Sequence, residues 1–238
     1  RGIGRALVVA FLAEGAKVIC ADREASPDEG VKLRSCVGEL TDPDTCRRAT
    51  DEAVRHFGAV DVLINNAGRN DSVGLDAGPE AFADSIQSNL VHYYTMAHLA
   101  RPHLERSHGA IINIGSKVAV TGQGGTSGYA AAKGGVLALT RERAVELAPK
   151  SVRVNAVLPA EVWTPLYESW LQAQPDPVAE KLRIARSIPL EGRFTTAEEI
   201  ANTVVFLASS RSSHTTGQIL YVDGGYTHLD RRLSNHSP

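Results

Sequence analysis

The sequence predicts a doubly wound α/β fold, in which helices flank a parallel sheet. Short apolar runs of strand length alternate with longer segments of helical period along the 238 residues. The chain also opens on Arg1-Gly2-Ile3-Gly4, a glycine turn that leads directly into a helical segment. A carboxylate, Asp22, follows 18 residues after Gly4 at the end of an apolar run. A glycine turn followed at this distance by an acidic strand end is typical of sheets that bind dinucleotides.

The first third of the chain supplies the first helices and strands in order. Apolar residues at helical spacing run from Ala6 to Ala13, and Gly15 favours the end of that helix. The elements predicted next are a strand at 17–22, a helix at 43–57 that ends at Gly58, and a strand at 60–64.

The rest of the chain repeats the alternation of helix and strand. We predict a helix over 79–105 with a break near its start, a strand at 110–115, a helix at 128–147, a strand at 152–157, a helix at 197–208 and a strand at 218–222. Residues 164–190 are irregular or form short helices, and we interpret them as a substrate loop that closes over the site. Residues 1–238 are expected to form a single domain.

The opening turn lacks the strand that usually enters it. A Rossmann-like sheet begins with a strand that leads into the glycine turn, and Gly2 and Gly4 match the last two glycines of that turn. We therefore expect the first strand of the sheet to be absent from this chain, as in an N-terminally truncated sequence.

Composition excludes several classes of function. The net charge of −2 gives no reason to expect binding to nucleic acid or to a membrane, and no apolar run approaches the roughly 20 residues of a membrane span. The three cysteines form no metal-binding pattern, so no metal site is expected. Their odd number favours reduced thiols and a cytoplasmic location.

Three residues suggest proton transfer at a carbon that carries a hydroxyl or a carbonyl. Tyr129 and Lys133 are four residues apart in a helical segment, so they share one face. Ser116 follows a buried strand, at the sheet edge where α/β proteins place reactive groups. A nearby ammonium is expected to lower the pKa of a phenol and to make Tyr129 a general base, while Ser116 would hold the substrate oxygen.

The motifs together resemble the short-chain dehydrogenase/reductase family over essentially the whole chain. The residues that carry this resemblance are Gly2-Ile3-Gly4, Asn65-Asn66-Ala67-Gly68, Asn89, Ser116, Tyr129 with Lys133, Asn155-Ala156-Val157-Leu158-Pro159 and Val222-Asp223-Gly224-Gly225. The resemblance implies an NAD(P)-dependent oxidoreductase with a catalytic tetrad. In it, Tyr129 is the acid/base, Ser116 orients the substrate oxygen, Lys133 binds the nicotinamide ribose, and Asn89 holds a water that relays protons through Lys133.

The same resemblance implies a set of cofactor contacts. Besides Tyr129 and Lys133, these are Gly2, Ile3, Gly4, Asp22, Glu39, Asn65, Ala67, Gly68, Pro159, Val162 and Thr164. The sequence departs from the family pattern in two places. Ala160 replaces the usual glycine after Pro159, and the adenine contact could be either Glu39 or Asp42. Asp22 would accept hydrogen bonds from ribose hydroxyls and repel a 2′-phosphate, so NAD is the expected cofactor, with NADP possible through Arg23.

Several segments resemble more closely the bacterial L-fucose dehydrogenases of this family. They include Gly74-Leu75-Asp76-Ala77-Gly78, His92-Tyr93-Tyr94, residues 117–124, residues 159–167 and Tyr221 through Thr227-His228-Leu229-Asp230-Arg231. This likeness implies oxidation of the C1 hydroxyl of an aldose to the lactone. It also places the C-terminal tail near subunit contacts, which implies a homotetramer.

Polar residues flank the predicted catalytic motifs, as a sugar would require. Asn70, Lys117, Gln123 and Glu161 offer hydrogen bonds, and with Ser116 and Tyr129 they are the expected substrate contacts. The ring of Trp163 or Trp170 could stack on a sugar, or it could pack in an amphipathic helix. Two alternatives stay open: reduction of a 3-oxo or cyclic ketone, and a non-catalytic nucleotide-binding or assembly unit.

Overall fold

The computed structural model describes residues 1–230, which form eight α-helices and six β-strands. The helices are α1 (Gly2–Ala13), α2 (Pro43–Phe57), α3 (Gly78–Ile86), α4 (His92–Ser107), α5 (Ser127–Leu147), α6 (Pro165–Gln172), α7 (Pro177–Arg186) and α8 (Ala197–Ala208). The strands are β1 (Val18–Asp22), β2 (Leu33–Val37), β3 (Val62–Asn65), β4 (Ala110–Ile114), β5 (Arg153–Pro159) and β6 (Ile219–Val222).

The strands pair in parallel throughout, as a doubly wound fold requires. Strand β1 pairs with β2, and a second sheet has the order β3-β4-β5-β6. In the larger sheet Asn65 lies beside Asn113, and Asn113 lies beside Ala156. This register aligns the carboxyl ends of β3, β4 and β5 along one edge, where such folds bind ligands.

Helices cover both faces of the larger sheet. Strand β4 is buried along its whole length, and its successive side chains point to opposite faces. Ile112 and Ile114 pack with Leu7 of α1 and with Ile200 and Val204 of α8. On the other face, a second cluster joins β4 and β5 to α4 and α5; it contains Leu104, Ile111, Leu147 and Val154. The predicted Rossmann-like layering is therefore confirmed.

A groove of about 1420 Å³ separates the two sheets. Ile19 and Cys20 of β1 line one side of it, and Leu63 and Ile64 of β3 line the other. No hydrogen bonds of the described strands link β1 to β3. This separation is the arrangement expected for a Rossmann-like sheet whose first strand does not lie within these residues.

Two elements differ from their prediction. The sequence predicts no strand between residues 23 and 42, yet β2 forms at Leu33–Val37. Exposed polar residues such as Arg34 interrupt its apolar pattern, and pairing with β1 supplies the order that local sequence does not. The predicted helix over 79–105 is split into α3 and α4 by a π-helical turn at Gln87–Val91. Residues 164–190 contain the short helices α6 and α7, and Arg231 of the predicted tail motif lies outside the described residues.

Neither a membrane span nor a metal cluster occurs among residues 1–230. None of their helices is long and apolar enough to cross a bilayer. No group of three or more His, Cys, Asp or Glu side chains in this range is arranged to bind a metal ion. Cys20, Cys36 and Cys46 are free thiols.

Candidate active site

Ser116, Tyr129 and Lys133 meet where β4 ends and α5 begins. Ser116 follows β4 by two residues, and Tyr129 lies in the first turn of α5, where the side chain of Ser116 is close enough to lower its pKa. The Nζ atom of Lys133, one turn further along α5, lies 5.7 Å from the centroid of the Tyr129 ring. The spacing of these residues thus brings two hydroxyls and one ammonium to the same sheet edge.

Lys133 is 2% exposed, and two oxygens hold its side-chain nitrogen. Nζ donates to the hydroxyl of Tyr93 and to the carbonyl of Ile114, each at 2.9 Å. Tyr93 is itself fully buried and donates to the same carbonyl at 2.9 Å. Burial lowers the pKa of Lys133 to about 7, because the charged form loses its hydration.

The pKa of Tyr129 is raised rather than lowered. Burial has the largest effect, the hydrogen bond from Ser116 opposes it, and the charge of Asp71 adds to it. The expectation that the nearby Lys133 ammonium lowers the pKa of Tyr129 is therefore wrong, because burial has the larger effect. The phenol is protonated at neutral pH, and its deprotonation requires a further positive charge close to it.

Asn89 lies in the π-helical turn between α3 and α4 and is completely buried. Its Oδ1 accepts from the backbone amide of Arg69 at 2.8 Å, and its Nδ2 donates to the Ser85 carbonyl at 3.1 Å and to Asp71 Oδ2 at 3.3 Å. Both amide hydrogens are thus used by the protein, whereas Oδ1 accepts only one bond and keeps a second lone pair. A relay water could bind to that oxygen or to the backbone of this π-helical turn, which is a kind of irregularity often found at functional sites.

Gly68 lets the backbone pass close to Asn89 and Lys133. Its φ is +153°, and a Cβ there would lie 3.1 Å from Asn89 Oδ1 and 3.4 Å from Lys133 Nζ. Any side chain would fill the space between the β3 edge and these two residues. Gly68 thus brings the β3 edge against two residues of the predicted tetrad, Asn89 and Lys133.

The predicted phosphate turn fits a dinucleotide as well. Helix α1 has no side-chain cap, so the amides of its first turn are available to an anion. Gly2 has a φ of +56°, and a Cβ on it would approach Thr164 to 3.5 Å; one on Gly4 would approach the Asn66 side chain to 3.0 Å. Asp22 is exposed at the end of β1 and borders the same groove as Gly2 and Gly4.

Other predicted cofactor residues have structural partners. Asn65 donates from Nδ2 to Asn113 Oδ1 at 2.9 Å, so its side chain ties β3 to β4. Ile3 and Val162 pack in the core beside α8, and Thr164 caps α6 by accepting from the Tyr167 amide at 3.2 Å. These contacts fix the side chains of Asn65, Ile3, Val162 and Thr164 at or below the sheet edge.

The turn between β2 and α2 decides between two candidate adenine contacts. Asp42 caps α2 by accepting from the Asp44 amide at 3.0 Å and from the Thr45 hydroxyl at 3.2 Å. Glu39 is exposed on the same turn. The structure therefore favours Glu39 for this role.

Lys117 and Glu161 form an ion pair beside Ser116. Their side chains are only 14% and 11% exposed. Glu161 also accepts from the Tyr167 hydroxyl at 2.7 Å, and Lys117 Nζ lies 4.1 Å from the centroid of the Tyr226 ring. We call these four residues the polar wall. They come from the ends of β4 and β5, from α6 and from the C-terminal tail.

The remaining predicted substrate residues lie elsewhere. Asn70 and Gln123 are exposed, on two loops that touch where Gly74 meets Gly125. Asn70 also accepts from the Ser72 amide at 3.1 Å within its own turn. Trp163 packs edge-on against Phe194, with Lys181 Nζ 3.9 Å from its ring centroid. One face of that ring is therefore covered and unsuited to stacking on a sugar.

The structure adds site residues that the sequence does not single out: Asp71, Tyr93, Tyr167 and Tyr226. Tyr93 follows Asn89 by four residues, so the two share one helix face. This spacing is the signal in the sequence that could have identified Tyr93 as a contact of Lys133. Asp71 lies in a loop, where no periodicity signals what a side chain contacts.

Sequence comparisons find whole-length relatives. A family model described as enoyl-(acyl carrier protein) reductase matches residues 1–227. The L-fucose dehydrogenase of Bos taurus is 36% identical over 100% of this chain and 90% of its own length. The 3-oxoacyl-(acyl-carrier-protein) reductase FabG of Thermotoga maritima is also 36% identical, over 94% of this chain and 93% of its own length.

Solved structures share the fold over nearly the whole chain. The crystal structure of Cj0485 dehydrogenase has a TM-score of 0.93 and 42% identity, covering 97% of this chain and 92% of that one. The ligand-free aldohexose dehydrogenase of Thermoplasma acidophilum has a TM-score of 0.88 and 32% identity, covering 96% and 91%. These similarities include the elements that carry Ser116, Tyr129 and Lys133.

Proposed function

Because this chain belongs to the short-chain dehydrogenase/reductase family of oxidoreductases, we propose that it oxidises the C1 hydroxyl of an aldose to the lactone, with L-fucose as the first candidate. The observation that carries the proposal is the polar wall beside Ser116. A buried ion pair adds little to stability, because the loss of hydration offsets the attraction of the two charges. An ion pair that is kept nevertheless beside Ser116 suits a ligand rich in hydroxyls.

NAD is the proposed cofactor, and it would accept the hydride from C1. The first-turn amides of α1 would hold its pyrophosphate, Gly68 would lie beside the nicotinamide half, and Lys133 would bind the ribose. Asp22 would accept from the adenosine ribose hydroxyls. A 2′-phosphate at Asp22 would meet like charge, which favours NAD over NADP.

The chain's own groups account for the proton transfer. Ser116 would donate to the substrate oxygen and orient it. Tyr129, once deprotonated, would take the proton of the C1 hydroxyl as the hydride leaves C1, and the C1–O bond becomes the lactone carbonyl. Lys133 would stabilise the phenolate of Tyr129 and pass its proton towards the Asn89 turn.

Reduction of a 3-oxo or cyclic ketone is the second candidate. The similarity to the Thermotoga maritima reductase supports it. In that direction Ser116 would hold the ketone oxygen, and the Tyr129 hydroxyl would donate a proton to it. The polar wall argues against it, because an acyl chain needs an apolar surface.

A substrate panel separates these candidates. We would follow NADH formation by the wild type with L-fucose, L-galactose and D-arabinose, and with secondary alcohols. NADH consumption would be followed with cyclic ketones and a 3-oxoacyl thioester. We expect turnover of at least one aldose, and we expect Tyr129→Phe to lower kcat by about 10²- to 10⁴-fold. Turnover of ketones alone would overturn the aldose proposal.

A nucleotide-binding unit without catalysis is the third possibility. Binding of NADH in a calorimeter, with no turnover across the whole panel, would support it.

A comparison of kcat/KM with NAD and with NADP tests the proposed role of Asp22. Equal values for the two cofactors would contradict that role.

We also propose that the protein forms a homotetramer, because the resemblance of its C-terminal tail implies subunit contacts there. We propose a cytoplasmic location because Cys20, Cys36 and Cys46 are free thiols. Light scattering of the purified protein tests the assembly. A monomer or a dimer would contradict it.

A further inference from the structure

The polar wall joins parts of the chain that are far apart in sequence. Lys117 directly follows Ser116, and Glu161 lies two residues after the end of β5. Tyr167 comes from the first turn of α6, and Tyr226 comes from the tail after β6. The two charged residues thus follow strand ends of the sheet, and the two tyrosines reach them from elements outside it.

The ion pair keeps unused hydrogen-bonding capacity. An ammonium carries more donors, and a carboxylate more acceptor sites, than a single partner can use. Among residues 1–230, Lys117 Nζ donates to Glu161 alone, and Glu161 accepts from Lys117 and from the Tyr167 hydroxyl. Neither side chain is closed to solvent, since 14% of Lys117 and 11% of Glu161 remain exposed. A hydroxyl both donates and accepts, so it can bond to both charges at once.

Tyr226 holds Lys117 with the face of its ring. Nζ lies 4.1 Å from the ring centroid, within the range of a cation–π attraction. The ring projects from a hydrogen-bonded turn, in which Asp223 accepts from the amides of Gly225 at 2.8 Å and Thr227 at 2.9 Å. Because a lysine side chain has many rotamers, this contact restricts where the ammonium points.

Tyr167 holds Glu161 with its hydroxyl instead. The hydroxyl donates to Glu161 Oε2 at 2.7 Å. The ring packs edge-on against Trp170 and Phe194, at centroid distances of 5.4 Å and 5.2 Å, so its direction is fixed from the apolar side. The two tyrosines therefore act on the ion pair through different groups, a ring face and a hydroxyl.

We propose that Tyr226 and Tyr167 are positioning residues, which set the affinity for a polyhydroxyl substrate by fixing Lys117 and Glu161 beside Ser116. In this arrangement the ammonium donates to a substrate oxygen, and the carboxylate accepts from a substrate hydroxyl. The assignment rests on the proposed function. It goes further by giving α6 and the C-terminal tail a part in substrate recognition.

Three substitutions test the two tyrosines, with KM and kcat measured on the best aldose. Tyr226→Leu removes the aromatic face, so we expect kcat/KM to fall by about 2- to 30-fold, whereas Tyr226→Phe keeps the face and should retain most of the activity. Tyr167→Phe removes a hydrogen bond to a charged group, and we expect kcat/KM to fall by about 10-fold or more. Both losses should appear in KM with kcat nearly unchanged, because the wall binds ground state and transition state alike.

Tyr221→Phe is the matched control for the loss of a hydroxyl. Tyr221 lies in β6, packs with Leu158 in the core and faces the ring of His228. Phenylalanine keeps these ring contacts, so KM and kcat should both stay at the values of the wild type.

Removal of the ion pair supplies a second control. A variant with Lys117→Met and Glu161→Leu loses both charges together, which leaves no unpaired charge in the wall. Addition of Tyr226→Leu or Tyr167→Phe to this variant should cause no further rise in KM, since the tyrosines then have no charged partner to position.

A merely structural role for the tyrosines predicts a different pattern. The assignment is wrong if Tyr226→Phe is as impaired as Tyr226→Leu, if the losses appear in kcat alone, or if they persist without the ion pair. Should the variant without the pair fail to fold, the contrast between Tyr226→Phe and Tyr226→Leu still tests the ring contact. If the wild type oxidises no aldose, the proposed function fails and the assignment falls with it; if it does, and the tyrosine variants match it in KM, the assignment alone is overturned.

Discussion

At the scale of single residues, the unusual group is Lys133, an ammonium that is only 2% exposed. Its low pKa, about 7, shows what burial costs the charged form. Tyr93 and the Ile114 carbonyl are the oxygens that limit this cost. Tyr93 is therefore a positioning residue for Lys133, although it would not touch the substrate.

Replacement of Tyr93 by Phe tests this role. We expect the free energy of unfolding to fall by about 1–3 kcal/mol, since the buried ammonium loses one of its two acceptors. Activity should fall as well, because Lys133 is no longer held in place. Urea unfolding and steady-state kinetics measure the two effects.

Tyr94→Phe is the matched control for this variant. Tyr94 is the next residue on α4 and is 58% exposed, so its replacement should change stability by no more than about 0.5 kcal/mol. Equal effects of the two variants would show that the Tyr93 hydroxyl has no special role.

At the scale of secondary-structure elements, helix α5 contains Tyr129 and Lys133 and packs against α3. Its glycines occupy contrasting environments. A Cβ on Gly128 would lie 2.5 Å from Ser85 Oγ and 2.6 Å from Ser85 Cβ, whereas a Cβ on Gly134 would meet nothing within 4 Å. Gly128 thus allows α3 to lie close to α5, next to Tyr129.

Alanine at these two positions should have opposite effects. Gly128→Ala should destabilise the protein by about 1–3 kcal/mol, because buried Ser85 has to move. Gly134→Ala should stabilise it by about 0.5–1 kcal/mol through the better helix propensity of alanine. Thermal unfolding of both variants measures these two changes in stability. A loss of stability in both would contradict the packing described for α5.

The sequence predicts elements well where their pattern is regular, and poorly where tertiary contacts create them. Strand β4 and helix α5 lie within a residue or two of their predicted positions, because each has an uninterrupted pattern. Strand β2 has a broken pattern and forms by pairing with β1. The split between α3 and α4 places Asn89 in a π-helical turn, which no side-chain periodicity encodes.

The candidate site also combines features that the sequence predicts with features that only tertiary contacts create. The strand-end and helix positions of Ser116, Tyr129 and Lys133 follow from the sequence. The sequence also selects Lys117 and Glu161 as polar residues near the site, but only the structure shows that they form an ion pair. The direction of the Tyr129 pKa shift does not, because it depends on burial and on Asp71, a loop residue.

At the scale of the whole molecule, His92 links protonation to folding. Its Nε2 lies 3.1 Å from the Ala67 carbonyl, and burial is the main cause that lowers its pKa to about 4. In the unfolded chain the pKa returns to about 6.5, so between these values the unfolded state binds more protons. This contribution to stability is present above about pH 6.5 and is lost as the pH falls towards 4.

Urea unfolding at different pH values measures this linkage. We expect His92 to account for a loss of about 2 kcal/mol between about pH 7 and about pH 5. In His92→Gln, which keeps a donor but cannot titrate, this part of the pH dependence should vanish. A pH dependence identical to that of the wild type would exclude His92 as the titrating group.

The groove between the two sheets also divides the molecule into regions of different resistance to opening. Strand β4 is buried and has hydrogen-bonded neighbours on both sides, whereas β1 is only partly buried and pairs with β2 alone. We therefore expect the amides of β1 to exchange with deuterium well before those of β4, as a separate cooperative unit.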